Sequence, residues 1–267
     1  MRIHPTAIVE SGARLGSSVE IGAHAFVGPD VVIGDDCVIG HGCHIEGCVR
    51  IGRNNMLSPY VVLGTPPQDL KWHGQKTELI VGDDNVFREF VTVNIGTPTG
   101  TGCTRIGSRN FLMMFAHVAH DCVIEDEAII TNGVLLGGHC CVETGANMAG
   151  GAAVHPFVTI GKRSYVGGLS RIVRDVPPFL TVEGNPARVR RVNEVGLQRA
   201  HYDQEVIDEL KDAYKAIYRT RELNRSRTYD EIEKRPDVRP ETLYLVQFLR
   251  RSQQGVLGRY REVLRKG

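Results

Sequence analysis

Residues 19–40 read VEIGAHAFVGPDVVIGDDCVIG. Aliphatic residues stand at Ile21, Val27, Ile33 and Ile39, each six after the last, and each is followed by glycine. A helix repeats its apolar face at about 3.6 residues and a long strand at about 2, so a strict six fits neither. It fits a short strand and a turn, repeated. The same step runs outward from Ile3, Val9 and Leu15 to Ile45, Ile51, Leu57 and Leu63. It resumes at Val81, Phe87 and Val93, slips phase once, and continues from Ile106 through Leu112, Val118, Ile124, Ile130 and Leu136 to Ile172. One aliphatic class held in step over that distance predicts a mainly β chain wound as a parallel β-helix, every aliphatic stacking inward on its equivalents. The glycines that follow, such as Gly16, Gly22, Gly34 and Gly52, are expected there because glycine adopts backbone angles closed to other residues.

Two segments break the rhythm. Residues 65–79, TPPQDLKWHGQKTEL, hold Pro66, Pro67 and the only tryptophan; residues 96–104 sit at the phase slip. Loops thrown out of a rigid solenoid are good places for function. After Ile172 come DVPP at 175–178 and EGNPA at 183–187, and beyond about residue 190 the period changes. Val206, Leu210, Ala213 and Ile217 follow helical spacing, with Asp203 as N-cap. A second helical run is expected after Pro240 through Leu243, Val246 and Leu249, and on through Leu257, Tyr260 and Leu264. The expected division is a β-helix over 1–185 and a helical domain over 186–267.

Composition narrows the function. The 267 residues carry a formal charge of only +1, which argues against a nucleic-acid binder. No 18-residue apolar run marks a transmembrane helix. The opening MRIHPTAIVESG lacks the apolar core of a signal peptide, so a cytoplasmic protein with reduced thiols is expected. The seven cysteines form no CxxC pair; Cys37, Cys43, Cys122 and Cys140 each precede a repeat aliphatic by two and read as small core fillers. Charge is uneven: residues 186–267 hold 19 basic and 13 acidic side chains. Such an appendage suits an acidic partner.

The stretch FAHVAHDC, Phe115 to Cys122, is where chemistry enters the repeat. His117 precedes inward Val118 by one and so faces outward; His120 follows it by two, where the strand leaves its flat face. If three hexads close one coil, Gly138 stacks on His120, His139 on Asp121, and His155 beside Gly137. A neutral imidazole accepts a proton near pH 7, a neighbouring carboxylate steadies it, and an unblocked amide holds an oxyanion. That set suits acyl transfer to an alcohol. Clustered histidines on hexads also suit zinc, but the γ-class carbonic anhydrases space their local pair H-x4-H, and here it is H-x2-H.

IHPTAIVESGARLG, QDLKW, AHVAHDC, LGGH, AVHPF, DVPP, VNEVGLQR and AYKAIYR span nearly the whole chain. In these pieces the sequence resembles the acyl-[acyl-carrier-protein]–UDP-N-acetylglucosamine O-acyltransferases. The resemblance implies a left-handed β-helix, a homotrimer with active sites between subunits, and no metal or organic cofactor. It implies transfer of an (R)-3-hydroxyacyl chain from acyl carrier protein to the 3-position of UDP-N-acetylglucosamine, the first step of lipid A synthesis. His120 would be the general base, Asp121 its support and the Gly138 amide the oxyanion donor. Gln68, Asp69 and Lys71 would hold the sugar and diphosphate region. His117, His139 and His155 would line the cleft, Asn193 and Arg199 the diphosphate side, and Gly168 the floor of the acyl groove. Four positions depart from the family pattern: Asn94 replaces a histidine, Pro156 a glutamine, Val195 a glutamate and Ala200 an arginine. Asn94 leaves open a 3-amino acceptor. Other readings are the N-acyltransferase acting one step later, which carries an extra N-terminal uridine-binding domain, and a non-catalytic sugar-nucleotide scaffold.

Overall fold

A computed structural model describes residues 1–220 and 225–258. Short strands, most of two residues, stack into three sheets of 11, 9 and 8 strands, parallel throughout except for the last pair of the first. The chain visits the first, second and third sheet in turn and then climbs one coil. His117 and Val118 pair with Leu135 and Leu136, so an uninterrupted coil is 18 residues. Each hexad supplies one face of a three-sided prism. We call the turns from first to second sheet, second to third, and third to first the first, second and third corners.

The repeat aliphatics fill the prism. Ile21, Val27, Ile33, Ile39, Val118 and Ile124 are almost inaccessible, whereas Ile3 is exposed because no coil lies beneath the first. Cys37, Cys43, Cys122 and Cys140 are buried free thiols at the corners. Their Sγ atoms donate to the carbonyls of Gly52, Ser58, Gly137 and His155 at 3.1–3.3 Å. Asn55, Asn85 and Asn110 form a buried ladder at the third corner. Each side-chain oxygen accepts from the backbone of the coil above, at 3.0, 2.9 and 2.7 Å.

The glycines serve a purpose other than the one expected. Of those following the aliphatics, Gly64 has a positive φ, while Gly16, Gly22, Gly34, Gly40, Gly52, Gly82 and Gly107 do not. A Cβ at these seven would lie within 2.7 Å of the neighbouring coil. The requirement is close stacking of coils. The left-handed turn position falls three residues after the aliphatic, at Ser18, His24, Asp36, Tyr60, Phe90, Phe115, Asp121 and His139.

Both interruptions leave from the second corner. Strands Val62–Thr65 and Glu78–Val81 bound the first, and Thr92–Asn94 and Cys103–Ile106 the second, so the excursions are 66–77 and 95–102, shorter than expected. The first sheet ends in an antiparallel hairpin, Leu180–Gly184 with Ala187–Val192. Helices α1 (Glu194–Arg199), α2 (Gln204–Tyr218), α3 (Arg225–Glu233) and α4 (Pro240–Gln253) follow. The expected division after residue 185 falls in the turn of that hairpin. Leu180 and Val192 pack with Leu197, Leu210, Tyr229 and Leu245 in a second core. Asp203 caps α2 by backbone position, without a side-chain bond. Pro240 opens α4, which ends at Gln253, so Leu257 lies beyond the helix. Tyr260 and Leu264 fall outside the described residues. Asp175 ties the two parts: its carboxylate accepts from Thr159 N at 2.9 Å and from Ser252 Oγ at 2.7 Å.

Candidate active site

His120 and Asp121 stand at the second corner, between strand His117–Val118 and strand Val123–Ile124. The His120 side chain retains 11% exposure and Asp121 none. His120 Nδ1 lies 2.8 Å from Asp121 Oδ2. Facing an ionised carboxylate, Nδ1 carries the proton, which leaves the Nε2 lone pair as the acceptor.

The carboxylate is held by the second excursion. Thr97 donates its amide to both oxygens at 3.1 Å and its hydroxyl to Oδ2 at 2.6 Å. Thr101 donates its amide at 2.9 Å and its hydroxyl at 3.1 Å to Oδ1, and the Gly102 amide adds a contact at 3.2 Å. Burial alone would raise the Asp121 pKa; the bonds from His120 and Thr97, with the His139 ring nearby, outweigh it and hold the group to about 2. A Cβ on Gly100 would lie 2.4 Å from this carboxylate, so glycine lets the loop close over it. Sequence reading placed this loop but not its task. The run GTPTGTG, rich in amides and hydroxyls, was the available signal.

Gly138 lies one coil above His120, as His139 N donating to His120 O at 3.0 Å shows. An added Cβ at Gly138 would sit 2.6 Å from His120 Cε1 and 2.7 Å from Nε2. The imidazole therefore rests against the Gly138 backbone, and among the hydrogen bonds of the described residues the Gly138 amide donates none. His139 meets His120 edge-to-face at 5.0 Å and stacks on Phe157 at 4.3 Å. His120, Asp121 and His139 are close enough to hold a cation. The acceptor positions of Asp121 are, however, already taken by Thr97, Thr101, Gly102 and His120, which describes a hydrogen-bonded network.

The other expected residues divide into groups. His117 lies outward on the second sheet, its Nδ1 2.7 Å from Thr92 Oγ1. Burial, then the adjacent His120, lowers its pKa. His155 is at the same corner, Nδ1 3.1 Å from Pro156 O. Asn94 is buried with its amide bonded to Thr65 Oγ1 and Pro66 O at 3.0 Å each, so it anchors the first excursion. On that excursion Asp69 Oδ1 accepts from Lys71 N at 3.0 Å, Gln68 and Lys71 are exposed, and Leu70 is 99% exposed. Gly168 is not with His120: it is exposed at the first corner, between strands Tyr165–Val166 and Arg171–Ile172, and a Cβ added there would stand 3.4 Å from Gly150 O, so a side chain has room.

Asn193 and Arg199 lie elsewhere. Asn193 caps α1, accepting from Gly196 N at 3.2 Å and donating to Arg163 O at 2.8 Å. With Arg163, Arg191 and Arg199 it lines a cavity of about 720 Å³ against Ile129, Asn147 and Tyr165 of the first sheet. This cavity is on a different face from His117. A second cavity, about 580 Å³, lies between the top of the prism and α2–α4, also away from His120. Sequence reading missed Arg163 and Arg191, which the cavity brings beside Asn193.

Residues 30–65 and 103–138 match the bacterial transferase hexapeptide family (six repeats), and 175–257 match domain 2 of the Udp N-acetylglucosamine O-acyltransferases. Fold and corner site together define an acyltransferase of the left-handed parallel β-helix class. The acyl-[acyl-carrier-protein]–UDP-N-acetylglucosamine O-acyltransferase of Anaeromyxobacter sp. (strain Fw109-5) is 47% identical over 96% of this chain and 99% of its own. That of Synechocystis sp. is 51% identical over 66% of this chain, a match that spans 63% of the relative. The solved UDP-N-acetylglucosamine O-acyltransferase of Moraxella catarrhalis superposes with a TM-score of 0.90 at 36% identity, covering 95% of this chain and 98% of that one. The chain belongs to the acyl-[acyl-carrier-protein]–UDP-N-acetylglucosamine O-acyltransferase family.

Proposed function

We propose that this chain transfers an (R)-3-hydroxyacyl group from the thioester of acyl carrier protein to the 3-hydroxyl of UDP-N-acetylglucosamine, opening lipid A synthesis. The observation that carries the reading is the stack of Asp121, His120 and Gly138. His120 Nε2 removes the proton as the acceptor oxygen attacks the thioester carbonyl. The Gly138 amide donates to the oxyanion, and Asp121 steadies the imidazolium. Collapse of the tetrahedral species breaks the carbon–sulfur bond, and the proton on His120 passes to the departing thiolate. This scheme draws on no metal or organic cofactor.

In this reading Gln68, Asp69 and Lys71 reach the sugar and diphosphate from the first excursion, and His117, His139 and His155 line the cleft. Gly168 closes the acyl groove. Asn193 and Arg199 contact the diphosphate from another copy in a homotrimer. Their place on a different face from His120 supports that assembly. Seven free thiols support a reducing, cytoplasmic setting. Among the described residues no helix is long and apolar enough to cross a membrane.

A 3-amino acceptor is the second reading, favoured by Asn94, whose amide is committed to the first excursion rather than left titratable. The deciding assay offers UDP-N-acetylglucosamine and its 3-amino analogue against acyl carrier proteins of graded chain length. Transfer to the hydroxyl sugar is expected; transfer only to the amine would replace the first reading, and transfer to neither would reject both.

A further inference from the structure

Basic side chains outnumber acidic ones beyond the prism, and three arginines at its upper end meet no carboxylate. In the strand Ala187–Val192, ARVRRV, Arg190 pairs with Glu183 at 3.4 Å and Arg191 lines the cavity beside Asn193, which leaves Arg188. The helices commit their acids to other bases. Glu194 and Asp208 pair with Lys211, Glu205 and Glu209 with Arg239, and Asp230 and Glu233 with Arg250. Among the described residues Arg174, Arg188 and Arg225 form no ion pair, and all three line the cavity of about 580 Å³ between the top of the prism and the helices.

The cavity exists because the prism ends there. The last strand of the second sheet is Arg171–Ile172, and only the Ile160–Val176 bridge continues the third. Ile172, Val176 and Val182 belong to the prism core, Leu249 packs on the helical core, and Val189 touches both. The two cores do not close on each other, so Val173, Val189 and Leu249 stay half-buried around the gap. Its volume is that of a small-molecule site, roughly 300–1,000 Å³. One wall is stiff: Tyr218 stacks on Tyr214 at 5.5 Å, and the Arg225 guanidinium lies 5.5 Å over the Tyr218 ring. Burial raises the Tyr218 pKa, so its hydroxyl keeps its proton and can donate. Asp175 is the one acid among the described lining residues, and its carboxylate accepts from Thr159 N and Ser252 Oγ. Three guanidiniums and one carboxylate leave two positive charges.

We infer that the cavity lined by Arg174, Arg188, Arg225 and Tyr218, with the apolar wall of Val189 and Leu249, binds a phosphomonoester that carries an apolar group. A phosphomonoester bears about −1.5 to −2 near pH 7, which answers the excess charge. Guanidinium forks bond phosphate oxygens in pairs. A carboxylate would leave one positive charge unanswered, and a bare phosphate would leave the apolar wall wet. The cavity shares no residue with the one beside Asn193 and none with the second corner, so its occupancy is independent of acyl transfer.

The test titrates the full-length chain with octyl phosphate, below its micellar range, by calorimetry at about pH 7.5. The wild type should bind one molecule per chain. Arg188→Gln and Arg225→Gln should each weaken binding by about tenfold or more, the loss that follows removal of a charge-assisted hydrogen bond. Both are exposed and should melt as the wild type does. His120→Ala and Arg199→Ala should bind as the wild type does, since neither lines the cavity. Inorganic phosphate and octanoate should each bind about tenfold more weakly than octyl phosphate. No saturable binding, or binding lost in Arg199→Ala, would overturn the site. Equal binding of inorganic phosphate or of octanoate would overturn the ligand class. Unchanged octyl phosphate binding in both arginine variants, with a raised KM for acyl carrier protein, would assign the arginines to an acidic protein surface and overturn the inference.

Discussion

At the residue scale the site depends on two contacts, one polar and one steric. His120 owes its tautomer to Asp121, and it owes its place to the missing side chain of Gly138. His120→Ala should lower turnover by about 10² to 10⁴ with the fold intact, since no core aliphatic changes. Gly138→Ala should come close to that loss for another reason. Its methyl would push the ring aside, and an imidazole displaced by about 1 Å loses on the order of 10² in rate. Steady-state kinetics beside a thermal melt separates both from unfolding. Asp121 adds a pH signature. Its folded pKa of about 2 lies below the ordinary aspartate value. The stability it contributes is therefore fully present above about pH 4 and is lost as pH falls toward 2; it amounts to roughly 2 kcal/mol. Asp121→Asn should melt lower at pH 7 and show a flatter acid limb between those pH values. Removing the anion also leaves the imidazole without the partner that orients it, so kcat should drop.

At the element scale the two excursions are arms of one corner, each held by a buried polar side chain and tied to each other where Thr77 Oγ1 donates to Gly96 O at 2.7 Å. Asp121 secures the second and Asn94 the first. Asn94→Ala frees Thr65 and Pro66, so trypsin should cut after Lys71 or Lys76 faster than in the wild type. The KM for the nucleotide sugar should rise several-fold with kcat little changed; equal protease resistance would deny the anchor. The coils set a second length scale. Each rises by about 4.8 Å, the spacing of paired strands, so an acyl chain lying along the prism would be measured coil by coil. Gly168→Met, filling the open space above Gly150, should shift preference toward shorter acyl chains. An unchanged length profile would reject Gly168 as the groove floor.

At the scale of the whole molecule the proposed assembly makes a sharp expectation, because each site would draw on two copies. His120 stands at the second corner, whereas Arg199 lies over the first sheet. Subunits carrying His120→Ala and Arg199→Ala should each be nearly inactive. Mixed by denaturation and refolding in equal amounts, they should recover roughly a quarter of wild-type sites, the statistical yield when each site draws on two copies. No recovery would place both residues in one subunit's site.

By itself the sequence determined the coil. A single residue class repeated every six positions admits one way to bury it, and the same spacing brings Gly138 over His120 by arithmetic. Family motifs pointed to the chemistry at Phe115–Cys122 for the same reason, since those residues are neighbours in the chain. What needed the tertiary structure was everything that meets across corners or coils. Examples are Thr97, Thr101 and Gly102 closing on Asp121, Arg163 and Arg191 gathering beside Asn193, and the glycines whose constraint is the neighbouring coil rather than their own φ. The end of α4 was equally out of reach, because helical spacing continues past Gln253 to Leu257 while α4 stops at Gln253. Local periodicity is written in sequence separation; these contacts join residues whose separation depends on loops of no fixed length, and only the folded prism sets which of them touch.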